Sequence, residues 1–165
     1  MAEYPVMFTF QDVVSGNGFL AGINLCGRAL ICKEADDAWW TYGIHPGGIA
    51  ETGKSALESF ATFRNSYKNA LFDISEEAAN FEAFKIEVER FFHETAADAQ
   101  ERWVAAIQAI RTGQVTPEEP FSTLPRQSPD ERPERVEIKR LDKIESNKFS
   151  SLLNVSDKLE LPIAA

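Results

Sequence analysis

Hydrophobic residues alternate with polar ones over much of the first fifty residues, then recur every three or four. In residues 4–14, "YPVMFTFQDVV", Val6, Phe8 and Phe10 fall on one side of an extended chain, the pattern of a half-buried strand. "SGNG" follows and supplies a tight turn. The return run, "FLAGINLCGRALICKE", carries Phe19, Ala21, Ile23, Leu25, Ala29 and Ile31 at period two, with Gly22 and Gly27 as sites for a bend or bulge. After the polar turn "EADD", a third strand, "AWWTYGIHP", sets Trp40, Tyr42 and Ile44 on one face and Trp39 and Thr41 on the other. Short connections make these strands an antiparallel meander, because parallel neighbours need a crossover segment.

The period then changes. Ser55 and Glu58 form a capping box, and the helix it opens runs to about residue 72, with Leu57, Phe60, Phe63 or the stem of Arg64, Tyr67 and Leu71 on its apolar face. A second helix near 80–94 aligns Phe81, Phe84, Val88, Phe91 and Phe92. A third near 96–111 aligns Trp103, Val104, Ile107 and Ile110, with Gly113 as its C-terminal cap. From Thr116, "TPEEPFSTLPRQSPDERP" has five prolines and reads as a linker without regular structure. The expected fold class is therefore α+β, a three- to four-stranded antiparallel meander packed by helices with an extended C-terminal tail. Its divisions are a domain at 1–114, a proline-rich linker at 115–133 and a tail at 134–165. The tail alternates at Val136, Ile138 and Leu141 and is weakly amphipathic beyond. It is too short to fold alone and must pack on its own domain, on a second copy or on a partner; Val136, Ile138, Leu141, Phe149, Leu152, Leu153, Leu159 and Leu161 are the expected partner-binding or self-association residues.

The net charge of −9 turns this outline toward protein partners. Nucleic-acid binders need a cationic surface to displace counterions, whereas an acidic surface steers basic proteins. Most of the excess lies between Asp73 and Glu101, where Asp73, Glu76, Glu77, Glu82, Glu87, Glu89, Glu94, Asp98 and Glu101 face only Lys85 and Arg90. Cys26 and Cys32 read as reduced, buried thiols, some 20 Å apart along one strand at ~3.3 Å per residue. The opening residues lack the basic flank and apolar run of a signal peptide, and no later stretch reaches membrane-spanning length. The expectation is a cytoplasmic protein without a membrane segment.

One motif suggests chemistry. Gly48, Gly53, Lys54 and Ser55 match G-x-x-x-x-G-K-S, the phosphate-binding loop. That loop works at the end of a buried parallel strand, with a second strand bearing a metal-holding aspartate. Neither is visible here, and the capping box accounts for Ser55. His45 reads as a turn residue and His93 as a helix-end residue. No cofactor, metal or catalytic residue is expected; a nucleotide-binding enzyme using Gly48, Gly53, Lys54 and Ser55 stays as an alternative, as does a ligand-free oligomeric structural protein.

The order of elements around "YGIHPGGIAETGKSALESF" resembles the HicB-like antitoxin domain over about residues 4–72. Pro46 and Gly47 stand for that family's proline-glycine turn, Gly53 for the glycine before its helix, and Ser55 with Glu58 for the helix start. The aspartate of the family turn is missing, an extra strand precedes the match, and two aromatic-rich helices follow where a further strand is expected. The resemblance implies a partial RNase H-like fold without nuclease activity, in a toxin-antitoxin protein that neutralises a small basic ribonuclease toxin by direct contact, with a homo-oligomer as a further expectation.

Overall fold

A computed structural model describes residues 2–142 and 162–164. β1 (Ala2–Gly16) and β2 (Phe19–Ala35) form a long antiparallel hairpin, β3 (Ala38–His45) returns along β2, and β4 (Ala50–Gly53) pairs with β3. The meander expected from the sequence is thus formed by residues 2–53. Asn17 and Gly18 close the hairpin, and Gly18 takes a positive φ of 77°, which side chains avoid. α1 (Ala56–Glu77), α2 (Phe81–His93) and α3 (Ala97–Arg111) follow.

Period-two burial splits the strands between two faces. Tyr4, Val6, Phe8, Phe10, Ile23, Leu25 and Ile31 join Phe60, Phe63, Tyr67 and Leu71 of α1 and Phe84, Val88 and Phe92 of α2 in the larger core. Met7, Leu30, Cys32 and Ile44 pack on the other side against Ala99, Trp103, Ala106 and Ile107 of α3. The result is a mixed α+β arrangement: a mostly antiparallel sheet with helices on both faces. No helix among the described residues is long and apolar enough to cross a membrane.

The chain after α3 departs from the expectation. Residues 115–133 are not a structureless linker: they contain two short 3-10 turns and β5 (Arg126–Gln127). Phe121 is buried there and stacks on Tyr4 with ring centroids 4.1 Å apart. A single aromatic side chain anchors a segment whose prolines forbid a ladder. β6 (Arg135–Arg140) pairs with the turn-proximal half of β2, in register Ile23 to Ile138 and Leu25 to Val136. β7 (Ile163–Ala164) lies between β1 and β5, antiparallel to the first and parallel to the second. The sheet therefore runs β4-β3-β2-β1-β7-β5, with β6 beside β2.

This corrects the division at residue 134. Alternation at Val136 and Ile138 does make a strand, but its ladder lies within the same chain, where residues 21–26 of β2 offer an edge that β3 does not reach. Two smaller differences follow from packing. Leu57 and Val104, assigned to apolar faces, are exposed. The irregularity foreseen at Gly27 lies in β3, where Ile44 is the additional residue between Gly43, opposite Ala29, and His45, opposite Arg28. Gly27 instead permits close approach, since a Cβ there would lie 2.4 Å from the His45 carbonyl oxygen.

Candidate functional site

The acidic stretch runs from the end of α1 through α2 into the start of α3, with Asp73, Glu76, Glu77, Glu82, Glu87 and Glu89 on the first two helices. α1 ends at Ala78, whose extended backbone breaks the helix, and Asn80 starts the next by accepting the Ala83 amide on its side chain at 2.9 Å. Asn17, at the hairpin tip, donates to the Ala78 carbonyl at 2.9 Å and pins the turn to the sheet. Three small side chains, Ala78, Ala79 and Ala83, then leave a trough beside Ile74, rimmed by Glu77 and Glu87, with a volume of about 300 Å³. Phe72 and Ile86, on the same two helices, are exposed, Ile86 at 64%.

The charge on these two helices near the turn is mostly acidic, with Lys85 and Arg90 as the cations of α2. Asp73, Glu76, Glu77 and Glu82 are exposed and have no ion-pair partner among the described residues. Glu87 is held by Arg90, whose guanidinium hydrogen bond keeps its carboxyl below the usual range, and Arg90 also reaches Glu94 at 3.3 Å. An apolar floor with Glu77 unpaired at its rim, and further exposed carboxylates on the same two helices, suits a segment that carries lysine or arginine beside apolar residues.

A second cluster forms at the bulge. Glu134, just before β6, places Oε2 3.0 Å from His45 Nε2 and 3.7 Å from Arg28 Nε. Thr95 Oγ1 lies 3.3 Å from His45 Nδ1 and 3.5 Å from Nε2. Near-equal distances put the hydroxyl beside the ring, not in line with one nitrogen lone pair. The set therefore lacks the nucleophile-to-base alignment of a hydrolytic triad. On the α3 face, Arg102 donates to Glu3 Oε1 and, at 3.3 Å, to Cys32 Sγ. Burial nevertheless pushes the Cys32 thiol up to about 12, the opposite of an activated thiol.

The residues singled out from the sequence are scattered. Val136 is half-buried, and Ile138 and Leu141 are buried within the fold; they serve the sheet and are not free for a partner. Phe149, Leu152, Leu153, Leu159 and Leu161 lie outside the described residues. The G-x-x-x-x-G-K-S string does not form a phosphate loop. Its residues 50–53 are β4, paired Tyr42 to Ala50 through Trp39 to Gly53, and a strand points successive amides to opposite sides where a phosphate needs them to converge. Gly53 is there for packing, because a Cβ would lie 2.3 Å from the Ser59 amide nitrogen. Ser55 accepts the Glu58 amide at 3.0 Å, and Glu58 returns a carboxylate oxygen to the Lys54 amide at 2.7 Å, so the serine is a helix cap.

Sequence reasoning found the acids but not the trough, whose only trace is the alanine pair in "EEAAN". It missed Arg28, Thr95 and Glu134 as companions of His45, since nothing local links residues so far apart in the chain. Comparison with family models, curated proteins and solved structures finds no match to this chain.

Proposed function

We propose that this chain is a non-catalytic binding protein that holds a basic protein partner on the α1–α2 face, in the manner of an antitoxin that neutralises a small basic ribonuclease. The observation that carries this reading is the alanine trough between Glu77 and Glu87, with exposed carboxylates at Asp73, Glu76 and Glu82 on the same two helices. Exposed charges of one sign speed and select an encounter, and the apolar floor holds it. The antitoxin reading also rests on the resemblance around Pro46, Gly47, Gly53, Ser55 and Glu58. A meander followed by a capped helix agrees with a partial RNase H-like arrangement, whereas α2 and α3 stand where that arrangement expects a strand.

Co-purification from the native host tests the proposal, with wild type beside the double variant Glu77→Lys, Glu82→Lys. These positions are exposed, so the variant should keep its melting temperature. The expected result is a basic partner, bound more weakly as salt rises and lost from the variant. An acidic or neutral partner, or a basic one retained by the folded variant, would reject this face as the binding site.

A further inference from the structure

β3 and β6 lie end to end along one edge of β2, β3 against residues 28–35 and β6 against residues 21–26. At the junction the side chains are rich in donors. Arg28 and His45 share the single Glu134 oxygen described above, and the Arg28 guanidinium lies 4.9 Å from the centroid of the Trp103 ring. Arg28 Nε and Trp103 Nε1 are buried and have no hydrogen-bond partner among the described residues; Trp103 as a whole is 2% exposed. Buried donors of this kind are uncommon in folded chains and favour any acceptor that reaches them.

We infer that this junction is a binding site for a small carboxylate, and that Glu134 closes it in cis. A guanidinium and an imidazole Nε2–H both donate, and a carboxylate answers them with two oxygens and one delocalised charge, while the Trp103 ring backs the guanidinium. The acceptor that Arg28 and His45 already share is itself a carboxylate. Glu134 is also the outermost member: its side chain is 35% exposed, against 10% for His45 and 17% for Arg28. It stands on the solvent side of the donors, directly after Pro133 and before the ladder of β6 begins. An incoming carboxylate that displaces it meets Arg28 and His45 and supplies a second oxygen to the Arg28 Nε that lacks an acceptor, next to the Trp103 ring. The site is separate from the α1–α2 trough and does not depend on the partner proposed for that face.

The three tryptophans provide the test, since each indole N–H gives its own resonance. The full chain is titrated with acetate, and in a second arm with phosphate, at constant ionic strength, as wild type and as Glu134→Ala. In Glu134→Ala, acetate should move the Trp103 indole resonance saturably, with at least tenfold tighter binding than in wild type, while Trp39 and Trp40 stay fixed. Adding Arg28→Met should abolish the response. A folded Glu134→Ala chain with no saturable Trp103 shift in acetate would overturn the inference. A response to phosphate alone would overturn the carboxylate assignment. Should Glu134→Ala fail to fold, Glu134→Gln keeps an acceptor for His45 without the charge and is judged by the same criteria.

Discussion

Val6 and Ile163 face one another across an antiparallel ladder, and both are fully buried. The Met7 amide reaches the Pro162 carbonyl at 3.3 Å, and the Ile163 amide reaches that of Pro125 at 2.9 Å. A residue near one end of the sequence therefore completes the core around the first strand. Ile163→Ala should cost about 2–5 kcal/mol, the range for truncating a buried aliphatic side chain, read as a lower denaturant midpoint with an unchanged slope. Truncation after Pro133 removes Ile138, Leu141 and Ile163 together and bares the edge of β1 beside Val6 and residues 21–26 of β2. The expected outcome is loss of cooperative unfolding. A shortened chain that melts like wild type would return these strands to the role of a detachable tail.

The meander was legible because period-two burial and short turns are local, and Phe8, Phe10, Trp39 and Thr41 lie on the faces that their parity assigns. The helices were legible for the same reason at period 3.6. The positions of β5, β6 and β7 were not, since a short alternating run fits any open strand edge and its own sequence does not name which. Phe121 shows the limit most clearly. Proline spacing argues against a ladder around it, but only Tyr4 and Trp39 in three dimensions make it a core residue. His45 looked like a turn residue because Arg28 and Glu134, which give it a setting, come from β2 and from the residue just before β6.

Gly53 and Gly48 separate packing from phosphate chemistry. At Gly53 an added methyl group would meet the α1 backbone, 2.3 Å from the Ser59 nitrogen and 2.8 Å from the Glu58 carbonyl carbon. Backbone cannot yield as a flexible side chain does, so Gly53→Ala should destabilise the fold by roughly 1–3 kcal/mol, the usual cost of overpacking. Gly48 has φ 75° with open space around it, so Gly48→Ala should cost only the left-handed penalty of about 1–2 kcal/mol. Lys54→Ala should change neither stability nor binding. Thermal melts of the three variants check this, and magnesium-dependent ATP binding lost in Lys54→Ala would restore the phosphate-loop reading.

Ser55→Ala removes the acceptor for the Glu58 amide at the start of α1 and leaves that donor to solvent. A loss of about 1 kcal/mol is expected. Because the cap lies at the other end of α1 from the trough, partner binding should survive once the variant is folded. Lost binding in a chain of near-normal stability would place the interface at the N-terminal end of α1.

Cys32 gives the protein an alkaline limit. The side chain is fully buried between the sheet and α3, and burial outweighs the nearby Arg102 guanidinium, raising the thiol from its ordinary value of 9.0 to about 12. The folded state therefore holds the proton more tightly than the unfolded chain does. Below about pH 9 both states keep the proton and the stabilisation is fully present; as pH rises from there toward 12, only the unfolded chain ionises and stability is lost. Burial raises Tyr4 and Tyr67 in the same direction and adds to the loss at higher pH. One such thiol can contribute a slope of up to about 1.4 kcal/mol per pH unit. Denaturant midpoints measured under reducing conditions from about pH 7.5 to 10.5 should fall on the alkaline side, and Cys32→Ala should flatten that fall while lowering stability at neutral pH. In the native protein at pH 8, a thiol reagent should reach Cys32 only as fast as the chain opens. Rapid labelling of Cys32 without unfolding, or an alkaline limb unchanged in Cys32→Ala, would show that the thiol is not held in the core as described.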